Sequence, residues 1–296
     1  MPAERAGALY RRGEMDTVLE RVAQHCTADC GGSFLSGSVR ARLFACTISS
    51  FGHESWTPPP GPEDEGELDK LLRSTAHRMV RRQFSLDAKW FEQTKAAFAC
   101  ALSLPADEEG QLAVEAALSE AFLVISLSAC VFTCYVALEG PAAATARCTR
   151  KLVKTPGPAA HPFVSAQHWE RLRKLSPKAM TPPGTPLLRP FGPGDNAQTG
   201  GNRMHSLLQG VKGDLLPPSV QAFLECASSM GGVKGTPMRS CTLVPGDMEA
   251  FLQAMTTLYV PPHKFMSFAK LPGRELSRSE LECVADATAA TVACSF

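Results

Sequence analysis

The chain has 296 residues, 44% of them hydrophobic and 20% charged, a balance that excludes intrinsic disorder and leaves room for one large domain or two ordinary ones. A net charge of +1 excludes a surface built throughout to hold nucleic acid, and 7% aromatic content argues against a stacking platform for bases or sugars. Eleven cysteines at irregular spacing, with no apolar run after Arg5, Arg11 and Arg12 to form a secretory leader, read as buried thiols of a reducing cytosol or nucleus.

In chain order, Val18, Leu19 and Val22 predict a helix over Asp16–Cys30, stopped by Gly31 and Gly32. Ser38–Ser50 is rich in Val, Leu, Phe, Ile and Thr, and Arg40 and Arg42 alternate with Val39, Ala41 and Leu43, a pattern that predicts a strand. The prolines of Thr57–Gly66 make it a loop. Leu68, Leu71, Leu72, Met79, Val80 and Phe84 form one stripe of an amphipathic helix over Glu67–Phe84, with acids at its start and arginines at its end. Ser85 is placed to cap a further helix, Leu86–Leu104, which Pro105 breaks. A long helix then runs from about Gln111 to Leu138 and ends at Gly140-Pro141.

A short helix is expected over Val164–Leu175, followed by a Pro- and Gly-rich loop or linker over residues 176–203. Beyond it, Ser219–Met230 and Asp247–Tyr259 read as helices, the second with Met248, Phe251, Leu252 and Met255 inward. Ser240–Val244 and His263–Leu271 read as strands, and Ser277–Ala293 closes the chain as a helix whose Ser277 and Glu280 fit a capping box. The expected architecture is a helix-dominated α+β fold with a central buried apolar helix and a few short strands. It divides into an N-terminal lobe (1–175), the linker (176–203) and a C-terminal α+β lobe (204–296).

Within the long helix, Ala121–Leu138 holds 18 residues without a charge, enough to raise a membrane span. Ser126, Ser128 and Thr133 dilute its apolarity and Glu120 and Glu139 bound it, so the expectation is a core helix, with membrane spanning set aside. Cys130 and Cys134, four apart on it, are expected in the core. Cys26, Cys30, Cys46 and His53 are the one metal-like grouping, since Cys26 and Cys30 are one helical turn apart and Cys46 and His53 could complete a tetrahedral N/S set for zinc. Zinc sites usually pair their ligands tightly at both ends, so no cofactor is expected.

Charge is segregated. Residues 100–146 carry six acids (Asp107, Glu108, Glu109, Glu115, Glu120 and Glu139) and no Lys or Arg. Residues 147–178 carry Arg147, Arg150, Lys151, Lys154, Arg171, Arg173, Lys174 and Lys178 against Glu170 alone. Either the two runs compensate each other on a folded surface, or the second is a basic patch that docks an acidic or phosphate-bearing partner. Six Ser/Thr-Pro dipeptides in expected loops could add phosphate charge. The Ser267–Lys270 Ser-x-x-Lys pattern has no companion elements, and no Gly-x-Ser-x-Gly elbow, phosphate loop or dinucleotide fingerprint occurs. The functional expectation is therefore a non-enzymatic interaction or assembly protein that binds another protein as a complex subunit. The alternatives are an enzyme with a motif-poor pocket between two lobes, and a zinc-stabilised nucleic-acid-associated factor.

Overall fold

A computed structural model describes residues 12–28, 34–52, 65–82, 86, 88–152, 244–258, 277, 279–281 and 283. Among these residues 86% are helical and none lies in a strand, so the expected α+β class is corrected to a helical fold. The helices are α1 (Arg12–Thr27), α2 (Gly37–Phe51), α3 (Glu67–Arg81), α4 (Ala88–Ala101), α5 (Glu108–Glu139), α6 (Pro141–Leu152) and α7 (Pro245–Leu258).

The decisive error concerns residues 38–50, which form α2 rather than a strand. The alternation that suggested a strand covers five residues, whereas the buried positions Val39, Arg40, Leu43, Phe44, Thr47, Ile48 and Ser50 recur every three or four. Its hydroxyls are satisfied inside the helix, where Thr47 Oγ1 donates to the Leu43 carbonyl and Ser50 Oγ to that of Cys46, each at 2.7 Å. The expected strand at 240–244 lies outside the described residues except for Val244, which immediately precedes α7. The expected strand at 263–271 and the helices at 164–175 and 219–230 lie outside them altogether.

α5 is the axis of the fold. It begins three residues before the expected Gln111, because Asp107 caps it by accepting the Gly110 N–H at 2.8 Å. Gly110 is also a steric requirement, since a Cβ there would lie 1.8 Å from the Pro105 carbonyl oxygen. At the far end Gly140 adopts φ +85° and donates its N–H to the Val136 carbonyl at 2.9 Å. That turn does not end the helical region: Pro141, with its preset φ, opens α6, which packs back against α5. Each of the other six helices touches α5.

The core is one cluster that gathers Leu19, Val22 and Ala23 of α1, Val39, Leu43 and Phe44 of α2, and Leu72 and Ala76 of α3. Phe91 and Phe98 of α4, much of α5, and Ala250 and Ala254 of α7 join it, so residues 244–258 share a core with the N-terminal helices. Trp90 of α4 stacks on Phe122 of α5 at 5.9 Å, and Arg78 of α3 lies 5.4 Å from the Trp90 ring centre. The expected capping box is present: the Ser277 N–H donates to Glu280 Oε2 at 2.7 Å and the Glu280 N–H to Ser277 Oγ at 3.3 Å.

Candidate functional site: a buried charge cluster and the open face of α5

Arg40, which the alternating pattern placed in a strand, is fully buried in α2. Its guanidinium donates through one nitrogen to Glu120 Oε1 of α5, and through the other to Asp247 Oδ1 of α7 at 2.7 Å and the His25 carbonyl of α1 at 2.8 Å. His25 Nε2 lies 2.8 Å from the same Asp247 oxygen. The second Glu120 oxygen accepts the backbone N–H groups of Phe34 and Leu35 at 2.6 and 3.2 Å. Only the His25 side chain, 19% exposed, reaches toward solvent.

Two carboxylates thus face one guanidinium and one imidazole in a dry setting. Burial, reinforced by the Asp247 charge, pushes Glu120 up to about 7, while Arg40 and the Phe34 N–H hold it from rising further. Asp247 shifts the other way: burial opposes its charge, but hydrogen bonds from His25 and Arg40 win and hold it below the ordinary carboxylate range. Both Glu120 oxygens and Asp247 Oδ1 are taken up by groups of the chain itself. The cluster therefore clamps α1, α2, α5 and α7 together, the geometry a buried arginine fork is suited to.

Other acids of the acid-only segment are also engaged within the fold. Glu115 is buried in an ion pair with Lys95 of α4, and Asp107 is the α5 cap. Glu139 accepts from Arg147 of α6 at 2.6 Å. Arg147 also lies 3.2 Å from Glu20 and 3.4 Å from Asp16 of α1, with its guanidinium 4.2 Å from the Tyr135 ring centre. The first member of the expected basic patch is thus an internal tie among α1, α5 and α6. Arg150 is exposed on α6; nothing is described of the Lys151 side chain, and Lys154, Arg171, Arg173, Lys174 and Lys178 lie outside the described residues.

Of the zinc grouping, Cys30 and His53 lie outside the described residues. Cys26 is fully buried against α5, its Sγ 4.0 Å from the Val124 carbonyl oxygen. Cys46 instead lies near Arg73 and Asp69 of α3 and Glu65 just before it, and burial pushes its thiol up to about 11. Among the described residues no three His, Cys, Asp or Glu side chains converge on a metal position, and the described cysteines are free thiols.

Among the described residues, one face of α5 stays open. Ser126, Thr133 and Ala137 are exposed, and Phe122, Ala129, Cys130, Cys134 and Val136 are half-buried beside them. Cys130 and Cys134 are half-buried at the edge of this face, and Cys134 packs against the core. Ala113–Glu139 is by length and composition apolar enough to cross a membrane, and 56% of its most apolar stretch is buried inside the fold.

Sequence reasoning missed the Arg40 cluster because its members are spread over 222 residues from His25 to Asp247. The available signal was the position of Arg40 within a largely apolar stretch and of Glu120 at the edge of another. A charge in such a place is buried only when paired. No known protein family, curated protein or solved structure matches the chain.

Proposed function

We propose that this chain is a non-enzymatic interaction or assembly protein, an intracellular subunit that works by binding another protein. The observation that carries the reading is the open face of α5. It is an uncharged strip running from Phe122 to Ala137 along the longest helix, with Ser126, Thr133 and Ala137 exposed and small enough for another helix to approach closely. Exposed apolar patches mark docking sites, and half-buried Phe122, Cys130, Cys134 and Val136 border this strip. The buried charges support the same reading, because Arg40, Lys95, Glu115, Glu120 and Asp247 are all engaged in fixing helices to one another. Arg150, exposed one helix away, would meet an acidic flank of the partner.

The test uses full-length chain carrying Ser126→Arg or Thr133→Arg, both exposed positions that can accept a long side chain without entering the core. Affinity capture from the native cells with quantitative mass spectrometry, and native mass of the purified chain, are the readouts. The expected result is a stoichiometric partner on the unaltered chain that both variants lose while their circular dichroism and melting are unchanged. A chain that runs as a monomer and captures nothing specific, or variants that keep the full partner set, overturns the proposal.

A further inference from the structure

We infer that α7 is a pH-sensitive strap: one proton bound at the Arg40 cluster holds it against α1 and α5, and loss of that proton as pH rises through neutrality releases it. The cluster is short of positive charge. Asp247 of α7, Glu120 of α5 and Arg40 of α2 are all buried, so two carboxylates meet a single guanidinium. The fourth member is the imidazole of His25 on α1, whose Nε2 lies 2.8 Å from Asp247 Oδ1. An ionised carboxylate can only accept, so this nitrogen carries the hydrogen and donates, whether the ring is neutral or charged. With both carboxylates ionised and the ring neutral, one negative charge stays uncompensated in the interior, which is costly. One proton, on His25 or on Glu120, brings the cluster to neutrality.

That excess exists only while α7 is docked. α7 packs on α1 and α5 through the buried apolar side chains of Met248, Ala250, Leu252 and Ala254, and Asp247 is the charge it brings with it. Without Asp247, Glu120 and Arg40 are a one-to-one pair between α5 and α2, and His25 returns to the ordinary histidine range of about 6.5. Glu120 follows the same logic: burial first, then the Asp247 charge, push it up to about 7, and the second of these causes leaves with α7. The docked state thus holds a proton that the undocked state gives up. Docking is strongest below the undocked values and weakens as pH rises through the docked ones. Among the described residues, the other ionisable groups of the packed helices do not supply the missing charge. Asp16, Glu20 and Glu139 meet Arg147, Glu115 meets Lys95, Arg21 is exposed, and half-buried Glu249 of α7 is itself an acid.

The experiment is hydrogen–deuterium exchange of the full-length chain with peptide mass spectrometry, from pH 6 to pH 8.5. Exchange is expressed as protection factors, which divide out the intrinsic effect of pH on exchange. The expected result is that peptides covering 245–258 lose protection as pH rises, by at most about tenfold per pH unit because one proton is linked. Peptides covering 67–81 of α3, which contributes no member of the cluster, keep theirs. Glu120→Gln and Asp247→Asn each remove one carboxylate charge with little change of shape, so the loss disappears in both. The comparison of α7 with α3 needs no variant, so it stands even if a substitution unfolds the chain. Protection of α7 that does not change with pH, protection lost in parallel by α7 and α3, or the full loss retained in either variant overturns the inference.

Discussion

Replacing Arg40 with methionine tests the clamp most directly, because one side chain holds two buried carboxylates and a part-buried carbonyl. Removing one partner of a buried ion pair typically costs about 3–5 kcal/mol, since the other charge is left without compensation. Arg40→Met leaves both Glu120 and Asp247 so stranded, which places the gross cost at the upper end. Burying the methionine side chain returns about 1.5–3 kcal/mol. The net expectation is a loss of about 2–3 kcal/mol, a large share of the roughly 5–15 kcal/mol that keeps a domain folded. Urea unfolding followed by far-ultraviolet circular dichroism at pH 7.5 measures it. The same measurement at pH 5.5 isolates the cause. With Arg40 gone, the folded-state carboxyls titrate well above their unfolded values, so their penalty is full at high pH and relieved as pH falls. The variant should therefore recover relative to the unaltered chain at pH 5.5. A loss below about 1 kcal/mol, or an equal loss at both pH values, would refute the claim that the arginine neutralises buried charge.

The unaltered cluster has its own pH signature. Glu120 is raised from 4.5 to about 7, so the folded state holds the extra proton and the Glu120 contribution declines as pH rises through that window. Asp247 is lowered from 3.8, so its contribution is present above that value and is lost on further acidification. A urea series from pH 3 to 8 should show both limbs, with Glu120→Gln flattening the one between 4.5 and 7; an unchanged slope in that variant would contradict the assignment. Gly110→Ala forces a methyl to within 1.8 Å of the Pro105 carbonyl oxygen at the α5 start. The expected cost is about 1–3 kcal/mol, the usual range for overpacking, read as a lowered melting temperature. A melting temperature equal to that of the unaltered chain would mean the Pro105–Gly110 turn is not fixed as described.

How much the residues disclosed in advance depended on whether the stabilising contact was local. α3 was legible because Leu68, Leu71, Leu72, Met79 and Val80 repeat at helical spacing and the charges at its ends suit the helix dipole. α7 was legible for the same reason, with Met248 and Leu252 buried as expected. α2 was not, because β-branched Val39, Thr47 and Ile48 favour strands in isolation, and only packing against α3 and α5 resolves them into a helix. α6 was hidden by Pro141, which stops a helix when read from the N-terminal side and starts one when read from the other. The charge segregation is real as composition, but two of its acids, Glu115 and Glu120, are buried inside the fold. Glu115, Glu120 and Glu139 each meet a cation from a different helix, and no local pattern reports which one.

Those pairings also decide how α5 should behave toward a bilayer. Hydropathy alone gives Ala113–Glu139 the length to span one. Insertion would have to part Glu115 from Lys95 and Glu120 from Arg40, then carry both carboxyls toward lipid. An acidic group at the centre of a spanning helix costs about 2.5–3.5 kcal/mol on insertion scales, and less nearer the interface. It would also expose the buried faces of all six helices that pack on α5, including the core positions Phe44, Phe91 and Phe98. The interior of this fold already supplies what lipid would supply, together with partners for the two glutamates. Full-length chain expressed in its native cells should therefore be released by alkaline carbonate and should remain at the bottom of a density gradient loaded with lipid vesicles. Flotation with the vesicles after carbonate treatment would refute this account and make the helix a membrane span.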